Sequence, residues 1–231
     1  MGNENIAISV RNVCKDFGQV RVLKSVSRDF EAGKIHGIVG NNGSGKTVLM
    51  KCICGFLLPT EGMVLVNGKR VGKDVDFPSD LGIIIETPGF LPNITGVKNL
   101  EILASLNKKI GLADIADSIR RVGLDPQSKT PVGKYSLGMR QRLGIAQAIM
   151  ENPSLLILDE PTRGIDVGAK YDIYCIINEL AAAGKCILVI SSELPEILGI
   201  CDRVYVMNEG EIKGELPIEE ANQESIMRLL V

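Results

Sequence analysis

The sequence predicts an α/β fold on a mainly parallel core sheet, with an antiparallel β part near the N-terminus and an inserted helical block. Three observations predict it. After residue 150 apolar strands alternate with helical stretches: Leu155-Leu156-Ile157-Leu158, a helix from Ala169 to Ala183, then Cys186-Ile187-Leu188-Val189-Ile190. The apolar run Lys34-Ile35-His36-Gly37-Ile38-Val39 reads as a buried strand; it enters a glycine-rich loop and then the helical stretch from Thr47 to Cys54. From about 94 to 150 the apolar spacing is helical. A chain of 231 residues, 45% of them hydrophobic, can bury the core of one such domain.

The remaining elements follow in order. Ile6-Ala7-Ile8-Ser9-Val10 alternates, and Val20 to Val26 and Val64-Leu65-Val66 continue the strand signal. Asn67-Gly68 marks a two-residue hairpin between Val64-Leu65-Val66 and Lys69-Arg70-Val71. Leu81-Gly82-Ile83-Ile84-Ile85 is a short buried strand. Asn99 to Leu106 places Leu100, Leu103 and Leu106 at helical spacing, and Ile110 to Val122 and Leu137 to Met150 are two further amphipathic helices. A helix near Pro195 to Gly199, a strand Val204-Tyr205-Val206-Met207, a turn over Asn208-Glu209-Gly210-Glu211 and a last helix from Ser225 to Leu230 complete the chain.

Composition narrows the function. A net charge of −2 and a pI near 5.6 provide no global attraction for nucleic acid or an anionic membrane, so no nucleic-acid partner is expected. No run approaches the roughly 18 apolar residues of a membrane span. Met1-Gly2-Asn3-Glu4-Asn5 is polar and reads as no signal peptide. The six cysteines are expected to be reduced core residues, and the single histidine, His36, a packed one.

The chemistry concentrates in two places. Gly40-Asn41-Asn42-Gly43-Ser44-Gly45-Lys46-Thr47 fits G-x-x-x-x-G-K-[ST] at every fixed position. Its glycines let the backbone approach a phosphate, consecutive N–H groups form an anion nest, and the following helix adds its positive end. Lys46 is placed to reach the β- and γ-phosphates and Thr47 to ligate Mg²⁺. The expected ligands are therefore a nucleoside triphosphate and Mg²⁺, and the fold a P-loop NTPase. The second place is the end of Leu155-Leu156-Ile157-Leu158-Asp159-Glu160. A parallel strand delivers its terminal acids to the carboxyl edge, where α/β ligands bind. Asp159 is assigned to Mg²⁺ and Glu160 to the water that attacks the γ-phosphate.

Between them, Tyr135-Ser136-Leu137-Gly138-Met139-Arg140-Gln141-Arg142-Leu143 resembles the signature segment of ABC-type ATPases. The resemblance covers nearly the whole chain. It implies one ABC ATPase domain over 1–231, with a RecA-like core and β subdomain over 1–87 and 151–231 and a helical subdomain over 88–150. It also implies that Phe17 stacks on adenine and that Glu86 stands where the family has a glutamine, able to ligate Mg²⁺ or orient water. Gly164-Ile165-Asp166 resembles a segment that contacts a second ATPase subunit, identical or not. Ser136 and Gly138 would meet the γ-phosphate held by that second subunit, so ATP and Mg²⁺ sit in a two-chain clamp. Transmembrane permease subunits are implied as further partners, with Pro88-Gly89-Phe90-Leu91-Pro92 a candidate contact, and a peripheral place on the cytoplasmic face of the membrane.

The chain departs from the family where a histidine usually touches the γ-phosphate. Here it has Ser191-Ser192-Glu193, and an ionised Glu193 in that place would repel the phosphate and slow hydrolysis. The first half resembles bacitracin- and lantibiotic-resistance ATPases, whereas Arg163 to Lys170 and Ser191 to Glu196 resemble sugar-importer ATPases. Two other readings are a clamp without turnover and a soluble, non-transport ABC protein.

Overall fold

The computed structural model describes residues 5–85 and 89–230. Two sheets organise it. β1 (Ile6–Phe17) and β2 (Val20–Glu31) form a long antiparallel hairpin, and β4 (Glu61–Val66) and β5 (Lys69–Arg70) extend that sheet in the order β2-β1-β4-β5. The Asn67-Gly68 turn has φ of 48° and 75°, both left-handed, as a two-residue hairpin turn with glycine second requires.

The second sheet runs β10 (Glu211–Pro217), β9 (Arg203–Asn208), β3 (Ile35–Gly40), β8 (Cys186–Ile190), β7 (Leu155–Asp159), β6 (Leu81–Ile84). Five of these are parallel; β10 alone pairs antiparallel, with β9. β10 is an addition to the expected strands. Its sequence, Glu-Ile-Lys-Gly-Glu-Leu-Pro, carries a glycine and a closing proline, features tolerated on an edge strand.

The mainly parallel sheet has a different partner on each face. Alternation along β7 sends Leu155 and Ile157 to a cluster containing the antiparallel sheet and α1 (Lys46–Ile53). Leu156 and Leu158 enter the other cluster, with α2 (Gly96–Asn107), α3 (Leu112–Arg121), α4 (Leu137–Ile149), α5 (Val167–Ala182), α6 (Leu194–Ile200) and α7 (Gln223–Leu230). The expected strands and helices are present, with ends displaced by a few residues. The helical block shares its core with the sheet: Leu100, Ile115 and Leu143 belong to one cluster with Leu156 and Val189. Among the described residues no helix is long and apolar enough to cross a membrane.

α4 lies close against β6, and glycine allows it. A Cβ on Gly82 would fall 2.1 Å from the Ala148 carbonyl oxygen and 2.7 Å from Leu156 Cδ2. Gly82→Ala is expected to destabilise the fold by about 1–3 kcal/mol through overpacking. A lower urea midpoint at unchanged slope is the check; a wild-type midpoint would count against this packing.

His36 and five of the six cysteines behave as expected. His36 is fully buried, with Nε2 2.9 Å from Glu31 O and Nδ1 3.3 Å from the Tyr205 hydroxyl. Burial pushes its pKa down, which leaves a neutral packed ring. All six cysteines are free, and five are buried; Cys175 is half-buried rather than in the core. Of the apolar stretch 88–92, Pro88 lies outside the described residues; Phe90 packs on the core, and Leu91 is exposed. Buried Asn99 holds the loop by accepting from Leu91 N at 2.7 Å and donating to Leu91 O at 3.1 Å.

Candidate active site

Parallel pairing gathers the site. Asp159 is in register with Ile190, Ile38 with Ile190, and Gly40 with Met207. Gly40, Asp159 and the residues after Ile190 therefore leave the sheet at one carboxyl edge. At that edge lies a cavity of about 900 Å³ whose wall includes Gly43, Lys46, Thr47, Asp159, Glu160 and Ser192.

The loop from Gly40 to Gly45 is closed by Ser44 N–H donating to Asn41 O at 3.1 Å, and it is anchored by Gly210 N–H on Ser44 O at 3.0 Å. Gly43 and Gly45 have φ of +81° and +101°. At Gly40 a Cβ would fall 2.1 Å from Met207 O, so β9 excludes any side chain there. Gly45 precedes α1 without a capping side chain, which leaves the first-turn N–H groups facing the loop. Asn42 lines the cavity with the glycines, and buried Ser44 has a hydroxyl without a hydrogen-bond partner among the described residues. A phosphate oxygen fits this cradle: it supplies an acceptor for the N–H groups at the start of α1.

Lys46 Nζ donates to Gly40 O at 2.7 Å and Asn41 O at 3.0 Å, which folds its side chain over the loop. Burial holds its ammonium below the usual lysine range, while the negative charges of Glu160 and Asp159 oppose that shift. Thr47 and Asp159 bring a hydroxyl and a carboxylate to the wall. This hard-oxygen set suits Mg²⁺ shared with phosphate oxygens.

Glu160 is one of seven non-glycine residues with positive φ among the described residues. Its φ is +50°, left-handed for a residue with a Cβ, a conformation that costs on the order of 1–3 kcal/mol and concentrates at functional sites. Glu160 N–H donates to Ile190 O at 2.7 Å and Arg163 N–H to Glu160 O at 3.2 Å, which pins the backbone. Its side chain accepts from Ser192 N–H at 2.8 Å and Ser192 Oγ at 3.2 Å.

Next to Glu160, Ser192 and Glu193 point different ways. Ser192 lines the cavity, and Glu193 turns its carboxylate to Lys170 Nζ, at 2.6 and 2.7 Å. The cause is local: Ser191 Oγ accepts from Glu193 N–H at 3.0 Å, a turn that ends the strand alternation.

The remaining expected residues are spread around this centre. Phe17 ends β1 and is half exposed, with Lys15 Nζ 5.4 Å from its ring centroid; Val22 supplies the hairpin's share of the wall. Ser136 caps α4 by accepting from Met139 N–H at 3.1 Å, and Gly138 lies beside Ile165 and Ala169. Glu86 lies outside the described residues. Val22, Leu137, Gln141, Arg163, Gly164 and Ser192 line the cavity without having been singled out as site residues. Gln141 was legible as lying one turn beyond Leu137 on the same face of α4; Val22 had no distinguishing signal.

A strand, a glycine loop and a helix N-terminus facing two carboxylates at one sheet edge define a P-loop nucleotide-binding domain. The chain matches the family described as ABC transporter over residues 23–163. It is 41% identical over 206 residues to the uncharacterized ABC transporter ATP-binding protein YybJ of Bacillus subtilis (strain 168), covering 89% of this chain and 94% of that one. It is 38% identical to the bacitracin transport ATP-binding protein BcrA of Enterococcus faecalis, covering 94% of this chain and 71% of that one. It is 39% identical to the ribose import ATP-binding protein RbsA of Clostridium perfringens (strain SM101 / Type A), of whose length it spans 48%. A solved ATP-binding cassette of an ABC transporter, in its ADP conformation, superposes with a TM-score of 0.84 at 28% identity over 98% of each chain. The chain belongs to the ABC transporter family, as an ATP-binding subunit.

Proposed function

We propose that the chain binds ATP with Mg²⁺ in the cavity below Gly40–Thr47, hydrolyses it, and passes the resulting motion to transmembrane permease subunits. The observation that carries this reading is the meeting of Lys46, Thr47, Asp159 and Glu160 on one wall. Lys46 exchanges its two carbonyl partners for the β- and γ-phosphate oxygens, and the loop N–H groups hold the same oxygens. Thr47 and Asp159 would hold Mg²⁺, with Glu86 assigned to the same ion from its place in the sequence, and the ion would supply charge neutralisation for the phosphates. Two carboxylates beside a triphosphate need such a cation, because like charges at this range repel. Glu160, held by both donors of Ser192, orients and polarises the attacking water. Phe17, half exposed at the end of β1, is assigned to the base.

Glu193 does not slow this step in our reading. Its charge is spent on Lys170, and Ser192, a neutral donor, faces the cavity instead. Ser136 and Gly138 are assigned to the γ-phosphate of a second ATPase subunit, identical or not, since Ser136 opens α4 at an exposed helix start. The helical block over 88–150 is assigned to the permease contact, on the cytoplasmic face of the membrane. Cargo recognition belongs to the permease, because the groups gathered here suit phosphate, metal and water.

Titration calorimetry with ATP tests the reading. ATP with Mg²⁺ should bind at least about tenfold tighter than ATP in excess EDTA, since about 1.4 kcal/mol of charge neutralisation gives that ratio. Equal affinity in both buffers would remove Thr47 and Asp159 from a metal role.

A further inference from the structure

The segment that follows Glu160 and the segment that follows β8 are joined at three points. One is at the cavity, where Ser192 donates to the Glu160 carboxylate through N–H and Oγ. A second is buried: Thr162 Oγ1 donates to Glu196 Oε1 at 2.7 Å, with both residues shielded from solvent. The third is Lys170 Nζ, within 2.7 Å of both oxygens of Glu193.

The third link is not explained by local helix chemistry. Lys170 stands in the first turn of α5, where the helix dipole disfavours a cation. Glu193 is the N-cap residue of α6, yet its side chain makes no cap bond to that helix. Each gives up its helical preference for the other, across 23 residues of chain. The lysine side chain is only 15% exposed, unlike most of the ion pairs on this surface. Glu193 raises the Lys170 pKa through that hydrogen bond, so the ammonium stays charged. Asp166 fixes the start of α5 by accepting from Ala169 N–H at 3.0 Å, so Lys170 projects from a held turn.

We infer that the Lys170–Glu193 pair is a positioning device for ATP hydrolysis: it ties the start of α5 to the segment after β8 and, through Ser192, sets the place of the Glu160 carboxylate. Glu193 is the next residue after Ser192, so its anchoring restrains the residue whose N–H and Oγ hold Glu160. Loss of the anchor lets Ser192 and the carboxylate drift from the line of attack. A displacement on the order of 1 Å is enough to cost up to about a hundredfold in rate. Because α5 presents exposed Val167 and Tyr171 on its outer side, the pair also makes Glu160 sensitive to what touches α5. The inference rests on the proposed role of Glu160.

The test uses the complete transporter, with ATP turnover measured for Lys170→Met, Lys170→Arg, Glu193→Gln and Ser192→Ala, each alone and on Glu160→Gln, and for Lys170→Met combined with Glu193→Gln. Lys170→Met and Glu193→Gln should each lower kcat about tenfold at unchanged KM, and the pair together no further than either alone. Lys170→Arg should keep most of the rate, and none of the four should lower the residual rate of Glu160→Gln. A wild-type kcat in Lys170→Met beside an impaired Glu160→Gln would overturn the pair's role alone. Loss of ATP affinity or of folded protein in Lys170→Met without recovery in Lys170→Arg would make the pair structural and overturn it too. Wild-type turnover in Glu160→Gln would remove the role of Glu160 and the route of the coupling with it.

Discussion

Lys46→Ala is expected to weaken ATP binding by roughly 30- to 1000-fold, or about 2–4 kcal/mol, the loss of charge-assisted hydrogen bonds to two phosphates. Two opposing terms set that range. The ammonium is already hydrogen-bonded to Gly40 O and Asn41 O, so binding exchanges partners rather than adding them. Against this, burial has lowered its pKa, so it is poorly solvated and gains more from an anion than an exposed lysine does. The fold should tolerate the change, because the loop keeps its backbone closures at Ser44 and Gly210. Calorimetric titration at fixed Mg²⁺, with circular dichroism as the fold control, checks it. Wild-type affinity in Lys46→Ala would mean that the triphosphate is held elsewhere.

Glu160→Gln is expected to lower steady-state turnover by about 10²- to 10⁴-fold while leaving ATP affinity intact, the usual contribution of a positioned general base. The substitution is well matched to its surroundings. Glutamine has the same Cβ, so the φ of +50° is no harder to hold. Its amide oxygen still accepts from Ser192 N–H, and its amide nitrogen can donate to Ser192 Oγ. Only the negative charge and proton affinity are lost. A rate within twofold of wild type would place the base elsewhere; weakened ATP binding would show that Glu160 holds nucleotide rather than water.

The two phosphate-side motifs were legible because local sequence dictates their geometry. Gly40, Gly43 and Gly45 are needed for a close backbone approach and positive φ, and an apolar strand ending in Asp159-Glu160 delivers acids to a sheet edge whatever surrounds it. Ser192 was not legible over Glu193. Strand alternation would decide which of them faces the cavity, but the Ser191 Oγ turn breaks that alternation just after Ile190. The Lys170 partner of Glu193 is 23 residues away and belongs to tertiary packing, which a single sequence does not display. β10 was missed for a similar reason: Gly214 and Pro217 weaken its pattern, and its pairing with β9 supplies what the pattern lacks. The helical block was visible by its period, but its shared core with the sheet was not. Leu143 and Leu156 share one core because α4 lies over β6 at Gly82.

The most direct test of the account is single-turnover hydrolysis of ATP by wild type and Glu160→Gln in the assembled transporter, at equal nucleotide occupancy with Mg²⁺. The account predicts that wild type converts its bound ATP to ADP and phosphate, whereas Glu160→Gln retains ATP at least about a hundredfold longer. Equal conversion by both proteins, or none by wild type, would contradict it.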